Sequence, residues 1–283
     1  MKKEFWTKSA TYLMAGLAFT MFTAGMCESD PKDEDPDDDP TETPTNPSNP
    51  STGYKDKWAN LVNETKKDVN VSGNTLTYGS HKYTVKGEID YDATDHTTPT
   101  AWVEFTNIPS GYNEFKAVYE GLLGKSVQGT TAMIPMAEEI YARDATTGEK
   151  CFKLLCVSSA VPDIIRTLKS KIVLSKYSEE DDPYIQRYLP AALLQGATYT
   201  NAYTPDEPYT VAMCSHVNKP KEISFTLDGM IYYVYVLTSG GWDTWQKGME
   251  IYQPYDGGLY KVFNCPNAYV QCRNIRGTWG GLK

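Results

Sequence analysis

The chain has 283 residues, 27 Lys and Arg against 36 Asp and Glu, and a formal net charge of −9. The surplus is local: residues 28–53 carry nine acids and one Lys (net −8), whereas 54–283 carry 23 basic and 26 acidic side chains (net −3). A folded part with no positive surplus lacks the footprint that phosphate backbones require, so nucleic acid is not an expected partner, and its size is enough for a core that needs no disulfide staples.

Lys2, Lys3 and Lys8 precede a thirteen-residue apolar run from Tyr12 to Ala24. That run is shorter than the about 20 residues of a bilayer span and suits the core of an export signal. Cys27 then follows Ala24, Gly25 and Met26. The arrangement resembles a bacterial lipobox, in which the Cys is acylated and becomes the first residue. It departs from that pattern at Met26, where Gly, Ala or Ser is usual, and ordinary cleavage after Gly25 is the competing reading. Ser29 and the acids that follow resemble the surface-export signal of Bacteroidetes lipoproteins. Residues 28–53 are like-charged, rich in Pro and almost free of apolar side chains, the composition of an unfolded tether. At about 3 Å per residue it reaches roughly 80 Å. The expected organisation is a signal peptide (1–27), a tether (28–53), an N-terminal β plus helical domain (54–196) and a C-terminal β domain (197–283) that is free to merge with it.

Residues 55–69 carry Trp58, Leu61, Val62 and Val69 with a loose helical period. Asn74–Tyr78 and Lys82–Glu88 alternate around Gly79-Ser80, a two-residue hairpin signal, and 100–106 reads as a third strand. The period then changes: Phe115, Val118, Tyr119, Leu122 and Leu123 fall at helical spacing, with Asn113 before and Gly124 after. A second helix carries Met133, Met136, Ala137, Ile140 and Tyr141 with Pro135 in its first turn. Further helical segments are expected over 149–157, from Pro162 and from Pro183. From Tyr209 the pattern is β again. It comprises 209–216, a hairpin of 223–227 and 231–237 about Asp228-Gly229, a second of 248–253 and 259–264 about Asp256-Gly257-Gly258, and a last strand over 268–273. The fold class is α+β: an N-terminal β-hairpin region, a central helical block and a C-terminal antiparallel β module, with a small SH3-like barrel as one form of the latter.

Few constellations carry chemistry. Gly121 to Ser126 (GLLGKS) lacks the earlier Gly of a phosphate loop and follows a helix, so it reads as a helix end. Asp90, Asp92, Asp95 and His96 are closely spaced oxygen and nitrogen donors without the Gly of a calcium loop. Cys214 and His216 would share a strand face at about 7 Å, beyond a nucleophile–base hydrogen bond unless they lean together, and no third orienting group can be named. No metal ligand set, cofactor or catalytic residue is expected. The remaining candidate is Trp242-Asp243-Thr244-Trp245 between glycines, whose flat rings and carboxylate are the parts of a sugar-stacking platform. Tyr255, with Tyr232 and Tyr260, is expected to extend it.

Three stretches, EFKAVYEGLLGKSVQGTTAMIPMA (114–137), YIQRYLPAALLQGATYTNAYTPDEPYTVAM (184–213) and LYKVFNCPNAYVQCRNIRGTW (259–279), together with Cys27 and its tail, resemble an uncharacterised family of Bacteroidetes surface lipoproteins over about residues 110–279. The resemblance implies an outer-membrane, cell-surface location with the membrane reached through a lipid on Cys27, and it carries over no functional residue, since the family has no assigned activity. The expected function is a non-catalytic binding module for a glycan, peptide or partner protein. The alternatives are a structural envelope component and a cell-envelope or glycan hydrolase.

Overall fold

A computed structural model describes residues 66–171, 189–201, 203–224, 227–239 and 246–269. Cys27, the tether, Pro183 and the loop holding Trp242, Asp243 and Trp245 lie outside them. The described residues all belong to the compact unit 48–283.

Four strands come first: β1 (Val69–Ser72), β2 (Thr75–Tyr78), β3 (His81–Gly87) and β4 (Ala101–Phe105). Each pairs antiparallel with the next. Gly79 takes φ +59° between β2 and β3, where the hairpin signal places the turn. Val69 opens a strand rather than closing the helix expected over 55–69, and residues 66–68 before it are not helical; the rest of that stretch, 55–65, lies outside the described residues.

The helical block follows: α1 (Tyr112–Gly121), α2 (Val127–Arg143), α3 (Ala145–Leu155), α4 (Val161–Lys171) and a single turn, α5 (Leu189–Ala192). Phe115, Val118 and Tyr119 of α1 are fully buried, the stripe its spacing announces. The backbone N–H and hydroxyl of Ser110 donate to Glu114 Oε2 at 2.8 and 2.6 Å, so the acid at the third position of α1 closes the entry turn. The second helix starts eight residues before Pro135, earlier than a Pro in its first turn allows, because the Ser126 hydroxyl caps it by accepting from the Gly129 N–H at 3.1 Å. Pro135 therefore sits inside α2.

The remaining strands are β5 (Tyr209–Ser215), β6 (Lys221–Ile223), β7 (Gly229–Leu237), β8 (Gln246–Pro254) and β9 (Lys261–Asn264). The Asp228-Gly229 turn does not form. Ile223 pairs with Gly229, so the connection is 224–228, and Gly229 is already in the strand. A side chain there would sit 2.1 Å from the Gln253 carbonyl. Residues Pro266–Tyr269 form a 3₁₀ turn where a strand was expected from Ala268.

All nine strands of the described residues belong to one antiparallel sheet in the order β1-β2-β3-β4-β5-β7-β8-β9, with β6 beside the start of β7. The sheet is open, so no SH3-like barrel is made, while the α+β class holds. β4 and β5 are direct neighbours, Phe105 opposite Tyr209, which runs the sheet across the border expected at 197. One sheet face carries Leu76, Tyr83, Val103, Phe105, Val211, Met213, Val234, Val236, Met249 and Ile251, packed in a single core with Phe115, Met133, Phe152 and Leu168 of the helices. The opposite face carries smaller clusters: Ala212, Cys214 and Leu237 against Trp102 and Tyr235 in one, and Val157, Ile231 and Tyr252 in the other. The end of α3 is tied to the far sheet edge, the Val157 N–H donating to the Val262 carbonyl at 2.9 Å.

Candidate functional site: a tyrosine ledge

β7 and β8 pair over nine residues, from Gly229 opposite Pro254 to Leu237 opposite Gln246. Residues 238–245, with Trp242, Asp243 and Trp245 among them, connect the two strands at the Leu237–Gln246 end. Tyr255 follows Pro254 at the other end. Eight steps of about 3.4 Å separate the two by roughly 27 Å, so Tyr255 does not stand beside the base of that loop.

Tyr255 has other company. Glu222, Met230 and Gln253 form a row across β6, β7 and β8, on the face that also carries Tyr232 and Ile251. Further along, this face lies under the helices; toward Gly229 it is half-exposed. Tyr91 arrives from the β3–β4 connection with its ring centroid 5.4 Å from that of Tyr232, tilted 50°. Tyr260, just before β9, lies 6.0 Å from Tyr232 on a 55° tilt. Tyr255 is 53% exposed at the hairpin tip, its N–H donating to the Asp228 carbonyl at 3.2 Å.

The chain holds these rings from behind. The Tyr260 N–H donates to the Gly124 carbonyl at 2.8 Å, and its carbonyl accepts from the Tyr119 hydroxyl at 2.5 Å, which clamps it to the α1–α2 corner. Lys219 Nζ donates to the Tyr91 carbonyl and pairs with Asp92 at 3.2 Å. The Tyr232 hydroxyl donates to Gln253 Oε1 at 2.9 Å, and Gln253 also bonds Tyr260. Burial, then the neighbouring hydroxyls of Tyr232 and Tyr260, push the Tyr91 phenol well above its ordinary value; that hydroxyl has no hydrogen-bond partner among the described residues. Desolvation, then the Glu222 carboxylate it bonds, raises the Tyr255 phenol. The ledge therefore offers π faces, phenolic hydroxyls, an amide and two exposed carboxylates, Glu222 and Asp228. Its residues include no nucleophile–base pair.

The other candidates dissolve into structure. The Cys214 thiol donates to the His96 carbonyl at 2.8 Å, and burial, then Asp95, pushes its pKa up to about 11. His216 accepts the Asn218 N–H on Nδ1 at 2.9 Å and lies against Tyr235, ring centroids 4.2 Å apart, with burial and then His96 lowering its pKa. Thiol and imidazole are thus engaged with different groups. Asp90 and Asp95 accept from the N–H groups of Asp92 and Thr97, as turn residues do, and hydrogen bonds from Thr97 and Thr98 hold Asp95 down at about 2. Among the described residues no three His, Cys, Asp or Glu side chains are grouped to hold a metal ion. Gly124 and Ser126 form the α1–α2 corner: a Cβ on Gly124 would lie 2.7 Å from Tyr119.

The sequence pattern singles out Tyr232, Tyr255 and Tyr260 but not Tyr91, Glu222 or Gln253. Tyr91 lies inside the acidic run 90–95, where the spacing of the acids hides it. Glu222 and Gln253 meet only through the strand register.

No curated protein and no solved structure matches the chain. A family described as a domain of unknown function (DUF6935) matches residues 107–276. The match begins just past β4, so it takes in the helical block, β5 to β9 and every ledge residue except Tyr91. Covering more than half of the chain, it shows that the protein belongs to this family.

Proposed function

We propose that this chain is a cell-surface lipoprotein of the outer membrane, anchored through an acylated Cys27 and held off the bilayer by residues 28–53, and that its folded part is a non-catalytic binding module. What supports the binding reading is the ledge itself: four tyrosines from two separate connections and one strand, backed by clamped main chain. Groups of this kind recognise surfaces rather than break bonds. No helix of the described residues is long and apolar enough to cross a membrane. Two measurements test the reading. A labelled fatty acid enters the wild-type chain and not Cys27→Ala; equal labelling overturns the anchor. Envelope fractions retained by the immobilised full chain are released when Tyr255 and Tyr232 are both changed to Ala; unchanged retention overturns the ledge as the binding site.

A further inference from the structure

We propose that the ligand of the tyrosine ledge is a neutral oligosaccharide, seated with the C–H face of a pyranose on Tyr255 and Tyr232 and its hydroxyls on Glu222 and Gln253. The proposal rests on the reading of the ledge as a binding site and adds the chemical class of what it binds.

Three observations carry it. The first is shape. The Tyr232 ring meets those of Tyr91 and Tyr260 at 5.4 and 6.0 Å between centroids, tilted by 50° and 55°, so the three line up as an aromatic row with Tyr232 at its middle. A flat, C–H-rich face matches such a surface, and the exposed Tyr255 extends it at the hairpin tip. The second is polarity. The groups around the rings are dominated by acceptors: the Glu222 and Asp228 carboxylates and the phenolic oxygens, with Lys219 already paired to Asp92. Acceptors call for a donor-rich ligand, which a polyol is without carrying charge, whereas an acidic polysaccharide meets like charge at Glu222 and Asp228. The third is the backbone. β7 has β6 on one side and β8 on the other along its first residues, and the edge strand beside the rings, β6, is only three residues long, so a peptide would gain few main-chain hydrogen bonds by joining it.

The test is affinity electrophoresis of the full chain through gels containing neutral polysaccharides (glucans, mannan, xylan), acidic ones (polygalacturonate, heparin) or a casein peptide digest, with thermal melting to confirm that each variant folds. At least one neutral polysaccharide retards the wild type. Tyr255→Ala weakens that interaction about tenfold, the loss of one stacking contact. Trp102→Ala, on the opposite sheet face, leaves it within about twofold. Retardation by only acidic polysaccharide or peptide, lost in Tyr255→Ala, overturns the neutral-glycan class and leaves the ledge as a binding site. Neutral-glycan binding that survives both Tyr255→Ala and Tyr232→Ala, or no retardation by any probe, overturns the proposal; in the first case the ledge falls with it.

Discussion

Glu138 and Glu139 are neighbours in α2 and equally buried, yet among the described residues only Glu139 has a cation: the Arg143 guanidinium reaches its Oε1 at 2.6 Å, while neither oxygen of Glu138 has a hydrogen-bond partner there. Burial, then the charge of Glu139, raises the Glu138 pKa well above its ordinary value of 4.5. A carboxyl whose folded pKa is raised binds more protons folded than unfolded. Its contribution to stability is therefore fully present below the unfolded pKa and is lost as pH rises toward the folded one. Glu138→Gln removes that slope. Its melting temperature matches wild type near pH 4 and exceeds it by several degrees at pH 8, since each tenfold difference in proton affinity between the folded and unfolded chain is worth about 1.4 kcal/mol. A constant offset between the two melting curves across this range contradicts the assignment.

Glu114 shows the opposite behaviour. Burial pushes its pKa up, but hydrogen bonds from His81 Nδ1 at 2.7 Å and from the side chain and backbone of Ser110 outweigh it, and the net shift is downward. The Tyr83 hydroxyl also donates to it, at 2.8 Å. Stability from this group is present above the unfolded pKa and lost as pH falls through the lower folded one. Glu114→Gln costs about 2–3 kcal/mol at pH 7, since neutral acceptors bind less strongly and one donor is left unmatched. Urea titrations at pH 7 and pH 3 measure this: the gap narrows at pH 3.

Gly148 in α3 lies where a Cβ would fall 2.2 Å from the Cα of Tyr141 in α2. Alanine is favoured over glycine in a helix by about 1 kcal/mol, but a contact with main chain cannot be relieved by a rotamer change, and overpacking costs about 1–3 kcal/mol or more. The clash prevails. Gly148→Ala lowers the melting temperature by several degrees, read by calorimetry; a rise would mean that the α2–α3 hairpin opens freely.

Cys214 is predicted to be inert. With its pKa at about 11, the thiolate share at pH 8 is on the order of one in a thousand. Iodoacetamide modifies it slowly in the folded chain and rapidly in guanidinium, followed by mass spectrometry of the peptide. Cys214→Ala leaves Tyr255-dependent binding unchanged.

What is legible in the sequence is local. The Gly79-Ser80 turn and the Phe115, Val118, Tyr119 stripe announce themselves within a few residues, because a turn needs its glycine and a half-buried helix needs its period. α2 is apolar or buried on every side, so it shows no stripe to mark where it starts, and the Ser126 cap is the only local sign. β6 pairs with the start of β7 through a five-residue connection that Asp228-Gly229 disguises as a two-residue turn. Tyr255 and the start of the 238–245 connection are set apart by counting alone: successive turns of an antiparallel meander lie at opposite ends of the strand between them, here β8. Tyr91 cannot be placed in that way, since a thirteen-residue connection carries it past β4 and β5 to reach Tyr232.

The pairing of β4 with β5 has a consequence for how the chain comes together. The helical block leaves the sheet after Phe105 and re-enters at Tyr209, residues that stand opposite each other, so its two stems emerge side by side, like an insertion spliced into one hairpin. Closing a span of about a hundred residues costs on the order of 4 kcal/mol in chain entropy before any strand contact is made. Condensation of the helices is what shortens that span. The register between the two halves of the sheet is therefore guarded by a part of the chain that supplies no strand to it.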